Sequence, residues 1–223
     1  MNYWKAVFAI AKKDIISELR NREIISSVLL FAVLTLIIFH FAFTADQKTI
    51  LSLAPGMLWV AFAFSGVLSI NRAFISEKED NCMEGLLASP ISRDAIFLGK
   101  VIGSIVFMLI IEIVVFPVFT LLYNVSVINP IVILVTLLAT IGFVSIGILF
   151  SALAVNTRAR EMVLPILFLP TVVPLIIAAV SATSVILDGG KFSDITQYMM
   201  IIVAFDIIFI TVPFVLFKYI VEE

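Results

Sequence analysis

The sequence predicts an all-α integral membrane protein, with six transmembrane helices following an N-terminal amphipathic helix at the membrane interface. Three observations predict it. Of 223 residues, 62% are hydrophobic and 13% charged, with a mean hydropathy of +1.22, whereas a soluble domain carries roughly 25% charged residues. Six apolar stretches are each long enough for the roughly 20 residues that cross about 30 Å of hydrocarbon. None shows the period-two alternation of a barrel strand, so helices must satisfy the backbone. Residues 1–223 read as one transmembrane domain.

Residues 1–22 form the first element. Trp4, Val7, Phe8, Ala11, Ile15 and Leu19 fall on one helical stripe, and Lys5, Lys12, Lys13, Glu18, Arg20 and Arg22 lie mainly off it. That pattern fits a helix in the interface with its basic side toward anionic headgroups. A helix packed on a partner is the alternative. The N-terminus does not read as a cleavable signal peptide, because charges run through it before the first long apolar stretch.

The spans are expected at about 24–43, 50–73, 96–123, 130–154, 162–187 and 197–221. Short connections make neighbouring helices antiparallel. Pro55-Gly56 opens the second span, where proline is tolerated if it falls in the first helical turn. Pro165, Pro170 and Pro174 interrupt the fifth, since each removes a backbone donor. They either kink a wall that gates a path or merely fit the neighbouring helices, and Pro55, Gly56 and Trp59 are grouped with them as gating candidates. With both termini inside, twelve of the fourteen Lys and Arg residues fall on the cytoplasmic side, leaving only Lys48 and Lys191 outside. This is a strong positive-inside signal.

That orientation puts residues 74–95 in the cytoplasm, within the longest charged interruption, Glu77–Lys100. Cys82, Met83, Leu86 and Leu87 have the spacing of one helix face. Pro90 ends that helix, and Ser92 is a candidate N-cap for the next. The short helix is either a docking element or a helical turn resting on lipid. Cys82, the only cysteine, excludes an intramolecular disulfide.

Glu112 and Asp206 fall near mid-membrane, with no Lys or Arg at that depth in any span to pair with them. A carboxylate there costs about 2.5–3.5 kcal/mol on insertion scales. Each is therefore protonated, hydrogen-bonded or facing a wet cavity. Their similar depth allows them to meet, as a proton or substrate site or as a neutral interhelix contact. His40, the only histidine, is a haem-ligand candidate or an ordinary interfacial anchor. With one His and one Cys, neither a catalytic triad nor a conventional Cys/His zinc site can be assembled. No phosphate-binding loop is present, because Gly99-Lys100 lacks the upstream glycine. The chain is not expected to be an enzyme, and if ATP is used another chain binds it.

The stretch Glu77–Pro90 has the form E-x-x-x-x-x-[LM]-E-x-L-L-x-x-P. With six spans and an N-terminal interfacial helix, it resembles the permease subunits of ABC-2-type (type V exporter-like) transporters. The resemblance implies a coupling helix that docks on a separate ATPase, carried by Glu77, Glu79, Met83, Glu84, Leu86, Leu87, Pro90 and Arg93. Where that family often has Gly followed by Ser or Thr, this chain has Asn81-Cys82, and Asn also tolerates a left-handed turn. Ala54-Pro55-Gly56-Met57-Leu58-Trp59-Val60 and the proline-rich Leu164–Leu175 are similar to the CcmB family of cytochrome c maturation. That narrower resemblance implies an inner-membrane haem-exporter permease with no directly bound cofactor. ATP and Mg would sit on a CcmA-like ATPase. A second copy, CcmC-like and CcmD-like subunits and a CcmE-like haem chaperone would be its partners, with no nucleic acid. The alternatives are an ABC-2 permease for a lipid, glycan or drug, and a proton-coupled carrier.

Overall fold

The computed structural model describes residues 3–43, 47–79, 91–155 and 164–220, among which there is no strand. Among the described residues seven α-helices follow one another: α1 (Tyr3–Arg20), α2 (Arg22–Ala42), α3 (Gln47–Glu79), α4 (Arg93–Tyr123), α5 (Pro130–Val155), α6 (Leu169–Leu187) and α7 (Thr196–Ile220). A π-helical segment, Leu164–Phe168, leads into α6, and a 3-10 turn, Phe192–Ile195, leads into α7. Six of these helices are long and apolar enough to cross a membrane. Arg20, Arg22, Arg93 and Lys100 mark one end of the bundle, called here the basic end.

Local chemistry sets the helix ends. Ser92 stands at the N-cap of α4 in extended conformation, without a side-chain cap bond. Its carbonyl accepts from the Ala95 and Ile96 amides at 3.1 and 3.3 Å. At the far end α4 stops at Asn124, which adopts φ +51°, a left-handed conformation that asparagine tolerates. Asn129 starts α5, its Oδ1 accepting the Ile131 amide at 2.9 Å. Pro130 follows in the first helical position, where no amide is needed.

α4 and α5 form the centre of the bundle. α4 packs against α1, α2, α3, α5 and α7, and α5 packs against α3, α4, α6 and α7. Phe97, Phe107, Met108, Ile111 and Phe119 of α4 are buried. α2 and α7 lie at the edge and present large apolar side chains outward, among them Leu30, Phe41, Ile207 and Ile208. In lipid such faces need no cover.

α3 and α5 interlock. A methyl group at Gly66 would collide with the Phe143 ring, and one at Gly147 would collide with Ile70. Each helix thus supplies a glycine for the other's bulky side chain. The pairs 66–143 and 70–147 advance together, so the two helices run parallel. Glycine permits this close approach between membrane helices.

Two helices exceed their expected spans. α3 has 33 residues, about 50 Å at 1.5 Å per residue. Its sequence turns charged from Arg72, with Glu77, Lys78 and Glu79 in the last turn, so the helix continues beyond its apolar stretch. Pro55 is therefore in the interior of α3, not in its first turn, because the polar Gln47–Thr49 extend the helix at the far end. α4 has 31 residues, about 46 Å long against about 30 Å of hydrocarbon.

Candidate functional site

The surplus of α4 is about 16 Å, or roughly eleven residues. That matches Arg93–Gly103, and along this piece α1 is packed. Ala95, Gly99 and Gly103 recur every four residues and leave a groove. A Cβ at Gly99 would lie 2.8 Å from Ile10 Cβ and 3.0 Å from the Val7 carbonyl oxygen. One at Gly103 would lie 3.2 Å from Asp14 Cβ. The contacts advance together on both helices, so α1 and the first turns of α4 lie side by side in the same direction.

This packing divides the apolar stripe of α1. Val7 and Ala11 are buried with Ala6 and Ile10, while Trp4, Phe8 and Leu19 are exposed. One half of the stripe faces α4 and the other faces outward, so interface helix and packed helix are both true of α1. Sequence reading identified the stripe but missed its partner. The signal was the four-residue spacing of Ala95, Gly99 and Gly103.

Charges close the groove. Lys100 is 1% exposed, and its Nζ lies 3.5 Å from Asp14 Oδ2. Lys13 approaches the other Asp14 oxygen at 3.1 Å. Glu18 lies one turn further along α1, with Oε2 buried and lacking a hydrogen-bond partner. Burial, reinforced by the Asp14 charge and opposed by Lys100, raises the Glu18 carboxyl to about 8. At neutral pH Glu18 is then mostly protonated, and no second negative charge has to be balanced under α1.

Three of the predicted docking residues fall within the described helices. Glu77 and Glu79 lie in the last turn of α3 and Arg93 opens α4, so both ends of the connection between them are helical. Met83, Glu84, Leu86, Leu87 and Pro90 lie outside the described residues.

The gating candidates fall into two groups. Trp59 is buried, and its Nε1 donates to Thr183 Oγ1 at 3.0 Å, joining α3 to α6. Thr183 in turn donates to the Ala179 carbonyl at 2.7 Å. Pro55 is buried nearby in sequence, and Gly56 is partly exposed. Thr183 could not be picked out beforehand, since nothing sets it apart from other span threonines. In the proline-rich stretch, Pro165 lies in the π-helical segment and Pro170 just inside α6, directly after that segment. Pro170 and Pro174 are exposed, so they sit on the outer face of α6 rather than lining a path inside this chain.

Glu112 and Asp206 lie at one depth, about 16 and 15 Å from the far ends of α4 and α7 at 1.5 Å per residue. They do not meet within the chain, because both turn toward α5. Thr140 donates to Glu112 Oε1 at 2.5 Å. Asp206 packs against Gly142, where a methyl group would collide with its Oδ1, and that oxygen is buried without a hydrogen-bond partner. Residues 140 and 142 are about 200° apart around a helix. The two carboxyls therefore flank α5 on different sides.

His40 packs edge-on against Tyr123, with ring centroids 5.5 Å apart. Tyr123 donates to the Leu36 carbonyl at 2.6 Å and ties α4 to α2 at the far end. Among the described residues no group of three His, Cys, Asp or Glu side chains is placed to hold a metal.

Among the described residues, a bundle of six apolar helices with a further helix packed along its basic end defines a multi-pass membrane protein. The chain belongs to the CcmB family, whose profile, described as CcmB protein, matches residues 5–219. It is similar to heme exporter protein B of Pseudomonas aeruginosa, with 28% identity over 171 residues and 76% of each chain covered. The protein of that name from Haemophilus influenzae is 30% identical over 175 residues, covering 77% of this chain and 78% of the relative. The Bradyrhizobium diazoefficiens counterpart is 25% identical over 185 residues, covering 82% and 83% respectively.

Proposed function

We propose that this chain is the membrane permease subunit of a haem-exporter ABC complex serving cytochrome c maturation. The family match over residues 5–219 carries the reading. The complex lies in the bacterial inner membrane, with the basic end and both termini in the cytoplasm, as the distribution of Lys and Arg favours. ATP and Mg bind a separate CcmA-like ATPase, because this chain has no phosphate-binding loop. That ATPase docks on the connection between α3 and α4 through Glu77, Glu79, Met83, Glu84, Leu86, Leu87, Pro90 and Arg93. A second copy of the chain, CcmC-like and CcmD-like subunits and a CcmE-like chaperone complete the assembly.

The chain's role is mechanical. ATP hydrolysis displaces the connection, the spans follow, and haem-loaded chaperone is released. The proposal gives this subunit no haem of its own. His40 is engaged edge-on with Tyr123, and no second histidine exists to complete a ligand pair. A proton-coupled carrier gains no support from Glu112 and Asp206, which α5 keeps apart.

The test compares two sets of variants in cells that depend on this chain for cytochrome c. Glu84→Lys and Leu86→Asp are expected to lose holo-cytochrome c while the protein stays in the membrane. Glu112→Gln and Asp206→Asn are expected to be mild. The reverse order of severity would favour the carrier, and normal cytochrome c after deletion of the gene would end the haem-exporter reading.

A further inference from the structure

The α3–α4 connection ends at Arg93, and the next eleven residues are the ones along which α1 lies. Any displacement of the connection therefore reaches α1 before it reaches the bilayer core. Ile10 seated at Gly99 already gives the groove steric resistance to sliding. A fixed charge adds to that resistance. Lys100 is 1% exposed and 3.5 Å from Asp14, with Glu18 one turn away. A buried charge whose partner moves off is left uncompensated, which is strongly unfavourable.

We propose that Lys100 and Asp14 are positioning residues for ATP-driven coupling, pinning α1 to Arg93–Gly103 so that the two helices move as one body. This rests on the reading of the chain as an ATPase-coupled permease. The body carries motion to α2 as well, because α1 joins α2 with only Asn21 between them. The connection thus drives two spans at once, α4 directly and α2 through α1.

The experiment uses the complex purified with its ATPase, together with holo-cytochrome c yield in cells. Cys82→Ser removes the native thiol, and Ile10→Cys with Gly99→Cys installs a disulfide across the groove. The present 2.8 Å separation must open by about 1 Å to reach the usual Cβ distance of about 3.8 Å, so the reduced double variant, not the wild type, is the reference. Oxidised and reduced complexes are expected to hydrolyse ATP at the same rate and to release chaperone equally. A disulfide that stops the cycle until it is reduced would show that α1 slides on α4, and would overturn the proposal.

Lys100→Met and the charge-balanced pair Lys100→Met/Asp14→Asn are expected to reach wild-type abundance, bind the ATPase and retain hydrolysis. Holo-cytochrome c should fall at least fivefold, and the 10–99 disulfide should restore it. Lys100→Arg, which keeps the charge, should retain most of the yield. Wild-type yield in both Met variants, with the ATPase bound, overturns the latch alone. If no ATPase accompanies the wild-type chain, the coupling reading fails and takes the latch with it.

Discussion

The groove under α1 makes a graded prediction for three glycines. Gly99→Ala adds a methyl 2.8 Å from Ile10 Cβ and 3.0 Å from the Val7 carbonyl oxygen. Neither atom can be moved by a side-chain rotation, since one is a Cβ and the other is backbone, so α1 itself must shift outward. Overpacking of this kind costs about 1–3 kcal/mol. Gly103→Ala meets Asp14 Cβ at 3.2 Å and should cost less. Gly56→Ala in α3 meets nothing within 4 Å and exchanges a flexible helix residue for a better helix former, a gain of about 0.5–1 kcal/mol. The measurement is thermal unfolding of each variant in one detergent. The expected order of melting temperature is Gly56→Ala at or above wild type, then Gly103→Ala, then Gly99→Ala. A Gly99→Ala protein that melts with the wild type would mean that α1 does not lie in this groove.

Two further predictions follow from buried polar groups. Thr183→Val strands the Trp59 indole N–H in the core, at a cost of about 1–3 kcal/mol. Trp59→Phe/Thr183→Val should cost clearly less than the sum of the single changes, and strict additivity in the melting data would exclude the hydrogen bond. Glu18 supplies a pH dependence. Its folded carboxyl is raised from 4.5 to about 8, so between those values the folded state holds more protons than the unfolded. Stability attributable to Glu18 is fully present below about pH 4.5 and is lost as pH rises toward 8, with a slope of at most about 1.4 kcal/mol per pH unit. Glu18→Gln should flatten that slope in melting curves taken from pH 5 to 9, and an unchanged slope would refute the burial of Glu18 under α1.

The spans were legible because lipid imposes a length and a composition that sequence displays directly. The depth of Glu112 and Asp206 was legible for the same reason, as residue count converts to distance along a helix. Facing was not. Whether two carboxyls at one depth meet depends on which helix stands between them, and here Thr140 and Gly142 place that helix as a wall. The true length of α3 was also hidden. Hydropathy marks where the apolar stretch ends, while the helix runs on through Arg72, Glu77, Lys78 and Glu79, which water accepts equally well. The Trp59–Thr183 bond joins residues 124 positions apart and left no local trace. Sequence marked the charged interruption between α3 and α4 but not the packing that follows Arg93, since Lys100 read as a loop charge until its burial against Asp14 was seen.

The paired glycines of α3 and α5 restrict how force can leave the basic end. Because Phe143 occupies the notch at Gly66 while Ile70 occupies the notch at Gly147, neither helix can translate along the other by a fraction of a turn. The nearest alternative seating is a full helical turn away, about 5.4 Å. A pull on the Glu77–Glu79 extension of α3 therefore bears on α5, the helix against which Glu112 and Asp206 both rest. α3 and α5 behave as a toothed rack with one engaged position, so the centre of the bundle can tilt as a block but cannot creep.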